Sequence, residues 1–264
     1  MAAHERAAES GQALLALFGL TRIDISFVLG SGWSAAADDL GSVIGGCQLG
    51  DLPHFAAPVV AGQGGELRVV RTPAGRTAAV FTGRTHLYEE RGVDSVVHGV
   101  RTAAAAGASL VVLTNGSGGL RADWAPGTPV LIRDHINLTG TSPLHGPTFI
   151  DMTDVYPPRL RELARTVDPT LADAVYVQFR GPQYETPAEV RMAGVLGGDL
   201  VGMSTSLEAI AAREAGLQVL AISLVTNLAA GISPTPLHHR EVIEAGLAAA
   251  PRLRQLLTGL AAVL

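Results

Sequence analysis

The stretch Leu110-Val111-Val112-Leu113-Thr114-Asn115-Gly116-Ser117-Gly118-Gly119 decides the fold class. An apolar, β-branched run passes straight into small and polar residues, the pattern of a buried strand ending at a ligand-facing edge. Upstream, residues 93–106 carry apolar positions at helical spacing, and before them residues 78–82 form another apolar run. A strand, a covering helix and a second strand make a unit of parallel sheet. Working outward, β-rich runs lie at 25–29, 67–70, 130–132, 174–179 and 217–225, and helical spacing at 158–166, 187–196, 206–215 and 240–260. Residues 14–20 belong to an amphipathic surface helix. The alternation predicts an α/β fold, a mixed, largely parallel twisted sheet with helices on both faces. Neither an internal repeat nor a compositional break divides the chain, so residues 1–264 are expected to form a single domain.

All 19 basic residues are arginine, and the chain has no lysine. That excludes a Schiff-base aldolase, a pyridoxal-phosphate anchor and a P-loop lysine. The formal net charge of −5 gives no reason to expect nucleic acid as a partner. Cys47 is the only cysteine, so no intrachain disulfide is possible, and no cysteine and histidine spacing suggests a metal site. A cytoplasmic location is expected. The N-terminus carries charges of both signs, unlike a secretory signal, and the longest apolar tract, near 102–114, is interrupted by Gly107 and Ser109 and is too short to span a membrane.

In α/β sheets the ligand sits outside the carboxyl ends of the strands. Five ends attract attention: Gly30-Ser31-Gly32, Gly83-Arg84-Thr85-His86, Asn115-Gly116-Ser117-Gly118-Gly119, Gly181-Pro182-Gln183-Tyr184-Glu185 and Thr226-Asn227. Glycines let backbone amides approach an anion closely. In Gly83-Arg84-Thr85-His86-Leu87-Tyr88-Glu89 a planar guanidinium, an imidazole and a phenol fall within five residues, the makeup of an oxyanion site beside a sugar; a solvated turn is the alternative.

Three other motifs point elsewhere. Gly30-Ser31-Gly32-Trp33-Ser34-Ala35 fits a dinucleotide-binding fingerprint. That motif needs an acidic residue about 20 positions on, at the end of a second strand. Asp51 has the separation, but the segment 45–52 around it is glycine-rich and poor in β-formers, so the second strand is missing from the expectation. Gly202-Met203-Ser204-Thr205-Ser206 begins like a nucleophile elbow but lacks its closing glycine, which leaves Ser204 as a helix N-cap or an anion ligand. Asp134-His135 has no third ligand nearby and is expected to be a structural pair.

Taken together the motifs resemble one family, the trimeric purine nucleoside phosphorylases, over residues 28–245. The resemblance rests on Gly30-Ser31-Gly32, on 83–89, 115–120, 134–140, 181–189 and 201–205, on Thr226-Asn227 and on His239-Arg240-Glu241-Val242. It implies the type I nucleoside phosphorylase fold, a homotrimer, and cleavage of purine ribonucleosides by phosphate to base and ribose 1-phosphate. Phosphate is the co-substrate, and no metal, organic cofactor or covalent enzyme intermediate is implied.

Carried over by position, the resemblance assigns phosphate to Ser31, Arg84, His86, the backbone at Gly116, and Ser204. Tyr88 and Met203 flank the ribose, and His239 reaches the 5′-hydroxyl, although His238-His239 also reads as a surface cap. Phe149 matches an aromatic lent to a neighbouring subunit's ribose pocket; on sequence alone it reads as core. The base falls to Ser117, Tyr184, Glu185, Val201 and Asn227, with Glu185 accepting from N1–H and Asn227 bridging O6 and N7. Asn227, Glu185 and His86 form the expected catalytic set. A 6-oxopurine presents N1–H where adenine presents a lone pair, so inosine and guanosine are favoured. The related methylthioadenosine phosphorylases, the nearest alternative, carry aspartate at position 227 and an apolar residue at 239.

Some positions depart from the family pattern. Gln63, within Gly62-Gln63-Gly64, replaces a histidine over the phosphate. Asn115-Gly116-Ser117 replaces the commoner Asn-Ala-Ala and is expected to keep the backbone contacts while loosening the loop. Leu228 stands where some relatives have lysine. Outside the family, a nucleoside hydrolase, a dinucleotide-dependent oxidoreductase and a non-catalytic nucleoside binder remain as rivals.

Overall fold

The run beginning at Leu110 forms the spine of the molecule. A computed structural model describes residues 2–55, 65–234 and 236–264, with Ala35 and His239 described by their backbones only. In chain order the elements are α1 (Ala3–Phe18), β1 (Ile25–Val28), β2 (Ser42–Gln48), β3 (Glu66–Arg71), β4 (Thr77–Phe81), α2 (Val93–Ala105), β5 (Leu110–Gly119), β6 (Pro129–Asn137), α3 (Pro158–Val167), β7 (Asp173–Gln178), α4 (Pro187–Val195), β8 (Leu200–Gly202), α5 (Ser206–Glu214), β9 (Gln218–Leu228) and α6 (His239–Val263). Among the described residues nine strands form one sheet in the order β2-β3-β4-β1-β5-β8-β7-β6-β9, and β9 also pairs with β5. Strands β5, β8, β7, β6 and β9 therefore close into a ring, while β1, β4, β3 and β2 extend from β5 as an open arm.

The sheet is mixed. β1 is parallel to β4 and β5, β5 to β9, and β7 to β6 and β8; the remaining pairings are antiparallel. Parallel strands need cover on both faces, and the alternation along β5 shows how they get it. Val111 and Leu113 pack with Leu14 of α1, Val100 and Ala103 of α2, and Ala209 and Ala212 of α5. Leu110 and Val112 point the other way, towards Leu160 and Ala164 of α3 and Leu253, Leu257 and Leu260 of α6. No helix among the described residues is long and apolar enough to cross a membrane.

Several sequence expectations are corrected. The segment around Gly45 is a strand after all: β2 pairs antiparallel with β3 at the sheet edge, with a register irregularity between Val43 and Gly45. Its glycine is seated under α1, where a Cβ at Gly45 would lie 2.7 Å from the Phe18 ring. β8 is three residues long and left no run in the sequence. The segments expected as loops at 115–119 and 226–227 lie inside β5 and β9, which stay paired from Leu110↔Gln218 to Gly119↔Leu228 with one irregularity after Ser117. β6 likewise runs on past residue 132, because β7 pairs with it as far as Asn137. Gln63 lies outside the described residues.

Candidate functional site

A cleft opens where the arm meets the ring. Ser31 follows β1; Arg84, His86 and Tyr88 follow β4; Gly116, Ser117 and Asn227 come from within β5 and β9. Tyr184 and Glu185 precede α4, and Val201, Met203 and Ser204 run from β8 towards α5. These are all the site residues that the resemblance assigned except Phe149 and His239, and the side chain of His239 is outside the described structure. Phe149 is 93% exposed, in a surface hollow lined also by Asp134, His135, Leu144, Met152 and Ile210. His239 opens α6, and Leu237 and Val242 on either side of it line the cleft.

At one end of the cleft the polar groups suit an anion. Arg84 is buried to 3% side-chain exposure and holds its Nη atoms on the protein. Nη1 donates to Glu208 Oε2 at 2.8 Å and Thr205 Oγ1 at 3.2 Å; Nη2 donates to Val28 O at 3.1 Å and to Thr114 O. Its Nε is buried with no partner. His86 stacks on Tyr88 with ring centroids 4.8 Å apart, and its Nδ1 is buried without a hydrogen bond, 3.5 Å from Glu89 Oε1. Gly116 is held to glycine by packing: a Cβ would stand 2.9 Å from Thr226 Cγ2 and 3.3 Å from Ser31 O. The segment expected as a loop is a paired strand, with Gly116 opposite Leu224 of β9.

At the other end Glu185 is 7% exposed, and its Oε1 has no hydrogen-bond donor. Burial, with Glu189 adding to it, pushes the Glu185 carboxyl above the ordinary glutamate value. The chain fixes this residue locally: Thr186 caps α4 by accepting from Glu189 N–H at 3.2 Å, Glu189 Oε2 accepts from Thr186 N–H at 2.7 Å, and Pro187 opens the helix. The Asn227 amide is buried, and its Nδ2 donates to Thr226 Oγ1 at 3.5 Å. Tyr184, 37% exposed, and buried Val201 line the cleft with Glu185. Unpaired buried polar atoms are rare in folded proteins. Of eight such atoms among the described residues, three, Arg84 Nε, His86 Nδ1 and Glu185 Oε1, belong to residues lining this one cleft.

Residues that sequence reasoning missed stand behind this wall. Asn115 Nδ2 donates to Thr205 Oγ1 at 2.8 Å, and Ser223 Oγ donates to Asn115 Oδ1 at 2.5 Å. Tyr176, fully buried and pushed up to about 12 by burial, accepts from Ser204 N–H at 3.2 Å. Gln178 Oε1 accepts from the N–H groups of Ser206 and Leu207, at 2.8 and 3.2 Å. The N-cap of α5 is therefore Thr205, and Ser204 lies outside the helix. The one signal in the sequence was Thr205-Ser206-Leu207-Glu208, a capping-box spacing.

The competing motifs resolve. The Gly30 turn leads into a 3₁₀ turn (Ser34–Asp39), and the strand before Asp51 lies three places from β1 at the sheet edge, so the dinucleotide geometry is not met. His135 is a satisfied structural residue: Nδ1 lies 2.8 Å from Tyr156 Oη, and burial lowers its pKa. Among the described residues no three His, Cys, Asp or Glu side chains cluster as metal ligands.

With fold and cleft in place, comparison with known proteins is specific. The model of the phosphorylase superfamily matches residues 25–262. The purine nucleoside phosphorylase of a Cellulomonas species is 62% identical over 247 residues, covering 92% of this chain and 88% of that protein. That of Mycobacterium tuberculosis is 54% identical over 253 residues, covering 96% and 94%. A Schistosoma purine nucleoside phosphorylase in complex with hypoxanthine superposes with a TM-score of 0.89 at 29% identity, over 98% of this chain and 97% of that one. The chain belongs to the purine nucleoside phosphorylase family.

Proposed function

We propose that the chain cleaves 6-oxopurine ribonucleosides, inosine and guanosine, with inorganic phosphate, giving free base and ribose 1-phosphate. The observation that carries this reading is Glu185 Oε1, a buried carboxylate oxygen in the cleft with no donor. The N1–H of a 6-oxopurine supplies that donor, whereas adenine offers a second acceptor and leaves the oxygen unpaired. Related schistosomal phosphorylases are captured with hypoxanthine and with adenosine, so the choice of a 6-oxopurine rests on Glu185.

The chemistry follows from where charge develops. As the bond between N9 and C1′ breaks, its electron pair passes into the purine and the ribose becomes cation-like. The departing purine takes up at N7, by way of solvent, the proton that hydrogen phosphate gives up as its oxygen bonds to C1′; Asn227 accepts from that N7–H and donates to O6, stabilising the base. Phosphate, held by Ser31, Arg84 Nε, His86, the Gly116 backbone and Ser204, forms the new oxygen bond to C1′ on the opposite face. Tyr88 and Met203 flank the ribose, His239 is assigned its 5′-hydroxyl, and Ser117, Tyr184 and Val201 enclose the base. The reaction consumes no metal or organic cofactor, and the enzyme is assigned to the cytoplasm.

Inosine incubated with and without phosphate tests the reading. Ribose 1-phosphate should form only with phosphate. Release of free ribose without it would make the chain a hydrolase, and binding of hypoxanthine with no cleavage would make it a binding protein.

The active unit is proposed to be a trimer in which Phe149 completes a neighbour's ribose pocket. Its 93% exposure leaves the ring available to a neighbouring subunit, and a closed ring would repeat that one contact at every pocket. Phe149→Ala should raise the KM for inosine and leave that for phosphate nearly unchanged. Mixing it with a Tyr88→Ala variant should restore activity through hybrid pockets. Sedimentation should give the mass of three 27.3 kDa chains. A fully active monomer would refute the shared pocket.

A further inference from the structure

Glu208 is the third helical residue of α5, and its first task is an ordinary one. The N–H of the N-cap Thr205 donates to Glu208 Oε2 at 3.0 Å, which is half of a capping box. A capping glutamate normally sits in water. This one has a side-chain exposure of 2%, and the same Oε2 also accepts from Arg84 Nη1 at 2.8 Å, from a residue 124 positions away. Glu208 does not line the cleft; it lines a second cavity behind Arg84.

The consequence for Arg84 is geometric. Its four Nη hydrogens face four protein acceptors, namely Glu208, Thr205 Oγ1, Val28 O and Thr114 O. A guanidinium has five N–H donors, so Nε–H alone remains for a ligand, and it is the buried atom without a partner. Arg84 lines the cleft, and Nε–H is the one guanidinium donor that the protein leaves for phosphate.

The consequence for Ser204 is conformational. Thr205 has φ 80° and ψ −51°, and Ser206 N–H donates back to Ser204 O at 3.0 Å, which defines a tight γ-turn centred on a β-branched residue. Strained backbone of this kind persists only where its surroundings over-determine it. The surroundings here are Glu208 on the Thr205 N–H and Asn115 and Arg84 on its Oγ1. One carboxylate oxygen therefore holds the cation and the turn that presents Ser204.

We infer that Glu208 is a positioning residue of the phosphate site, acting through Arg84 and the Thr205 turn without touching the anion. The inference rests on the reading of the cleft as a phosphate site. Glu208→Ala should raise the KM for phosphate about tenfold or more, the loss of one charge-assisted contact, with kcat at saturating phosphate within about threefold of wild type. The KM for inosine should stay unchanged. Glu208→Gln keeps an oxygen for both donors and should remain within about threefold of wild type on every parameter. Should the alanine variant fail to fold, Glu208→Asp, one methylene too short to reach both donors, should give the same phosphate-selective loss.

Binding of inorganic phosphate alone, followed by calorimetry on wild type and variants, separates this inference from the functional reading. Wild type that binds no phosphate would defeat the functional reading. Wild type that binds it, with a folded Glu208→Ala binding equally well, would overturn the role of Glu208. Equal damage from Gln and Ala would assign the effect to charge and overturn the positioning role. So would equal changes in both KM values, the mark of general loosening.

Discussion

Glu185→Gln should lower kcat/KM for inosine by about 10- to 150-fold, because one hydrogen bond to a charged group, worth roughly 1.5–3 kcal/mol, is lost where no water can replace it. The buried Oε1 of this cleft-lining residue has no donor, so the amide that replaces the carboxylate presents either a weaker acceptor or a second donor to N1–H. Asn227→Asp should act differently. A carboxylate beside a purine gaining electrons opposes the step that Asn227 assists, and it can accept the exocyclic amine of adenine, so activity on inosine falls while some activity on adenosine appears. The pH profile adds an independent mark. The Glu185 carboxyl lies above the ordinary value because of burial, and its ionised form is the acceptor. As pH falls, protonation occurs earlier than at an exposed glutamate, so the acid limb of kcat/KM for inosine begins above the usual glutamate pKa of about 4.3. Glu185→Gln should lack that limb. Wild-type rates on inosine in both variants would show that the base lies elsewhere.

The contrast between residues 110–119 and 42–48 explains how much of the fold could be read from the sequence. A central parallel strand is buried on both faces, so Leu110–Leu113 of β5 appears as an apolar run and β1 is interrupted only by Ser26, while helices such as α4 announce themselves by a cap and a proline at fixed spacing. β2 is an edge strand with one partner and mostly exposed side chains, and its identity comes from β3 and from the room its glycine gives Phe18. Pairing is non-local, which is also why β5 and β9 carry their polar ends inside the sheet.

Much the same holds for the site. Residue types at strand ends were legible because each suits its task alone: a fork of donors, a ring nitrogen, a carboxylate. How they are spent was not. Nothing near Arg84 in the chain says that Val28 O, Thr114 O, Thr205 and Glu208 occupy its Nη hydrogens. Phe149 shows the opposite failure, since an aromatic in an apolar context reads as core and is in fact exposed.

That use of Arg84 makes its removal a larger event than the loss of a phosphate contact. Arg84→Ala leaves Glu208 as an uncompensated carboxylate at 2% side-chain exposure, and breaking a buried pair by deleting one partner costs about 3–5 kcal/mol. At about 2–4 °C per kcal/mol for a chain of roughly this size, Tm should fall by roughly 6–20 °C. The KM for phosphate should rise by about 10- to 150-fold, the worth of the single Nε–H contact. The two effects separate in the double variant. Arg84→Ala with Glu208→Ala removes the stranded charge, so thermal stability should recover part of the loss, whereas phosphate binding should be no better than in Arg84→Ala alone. Residues acting through one contact are non-additive in this way, and a double-mutant cycle on Tm and on phosphate KM measures both couplings. If the double variant lost the sum of the single effects on phosphate KM, Glu208 and Arg84 would be acting independently. If Arg84→Ala alone kept wild-type stability and phosphate dependence, the anion end of the cleft would have to be sought away from the end of β4.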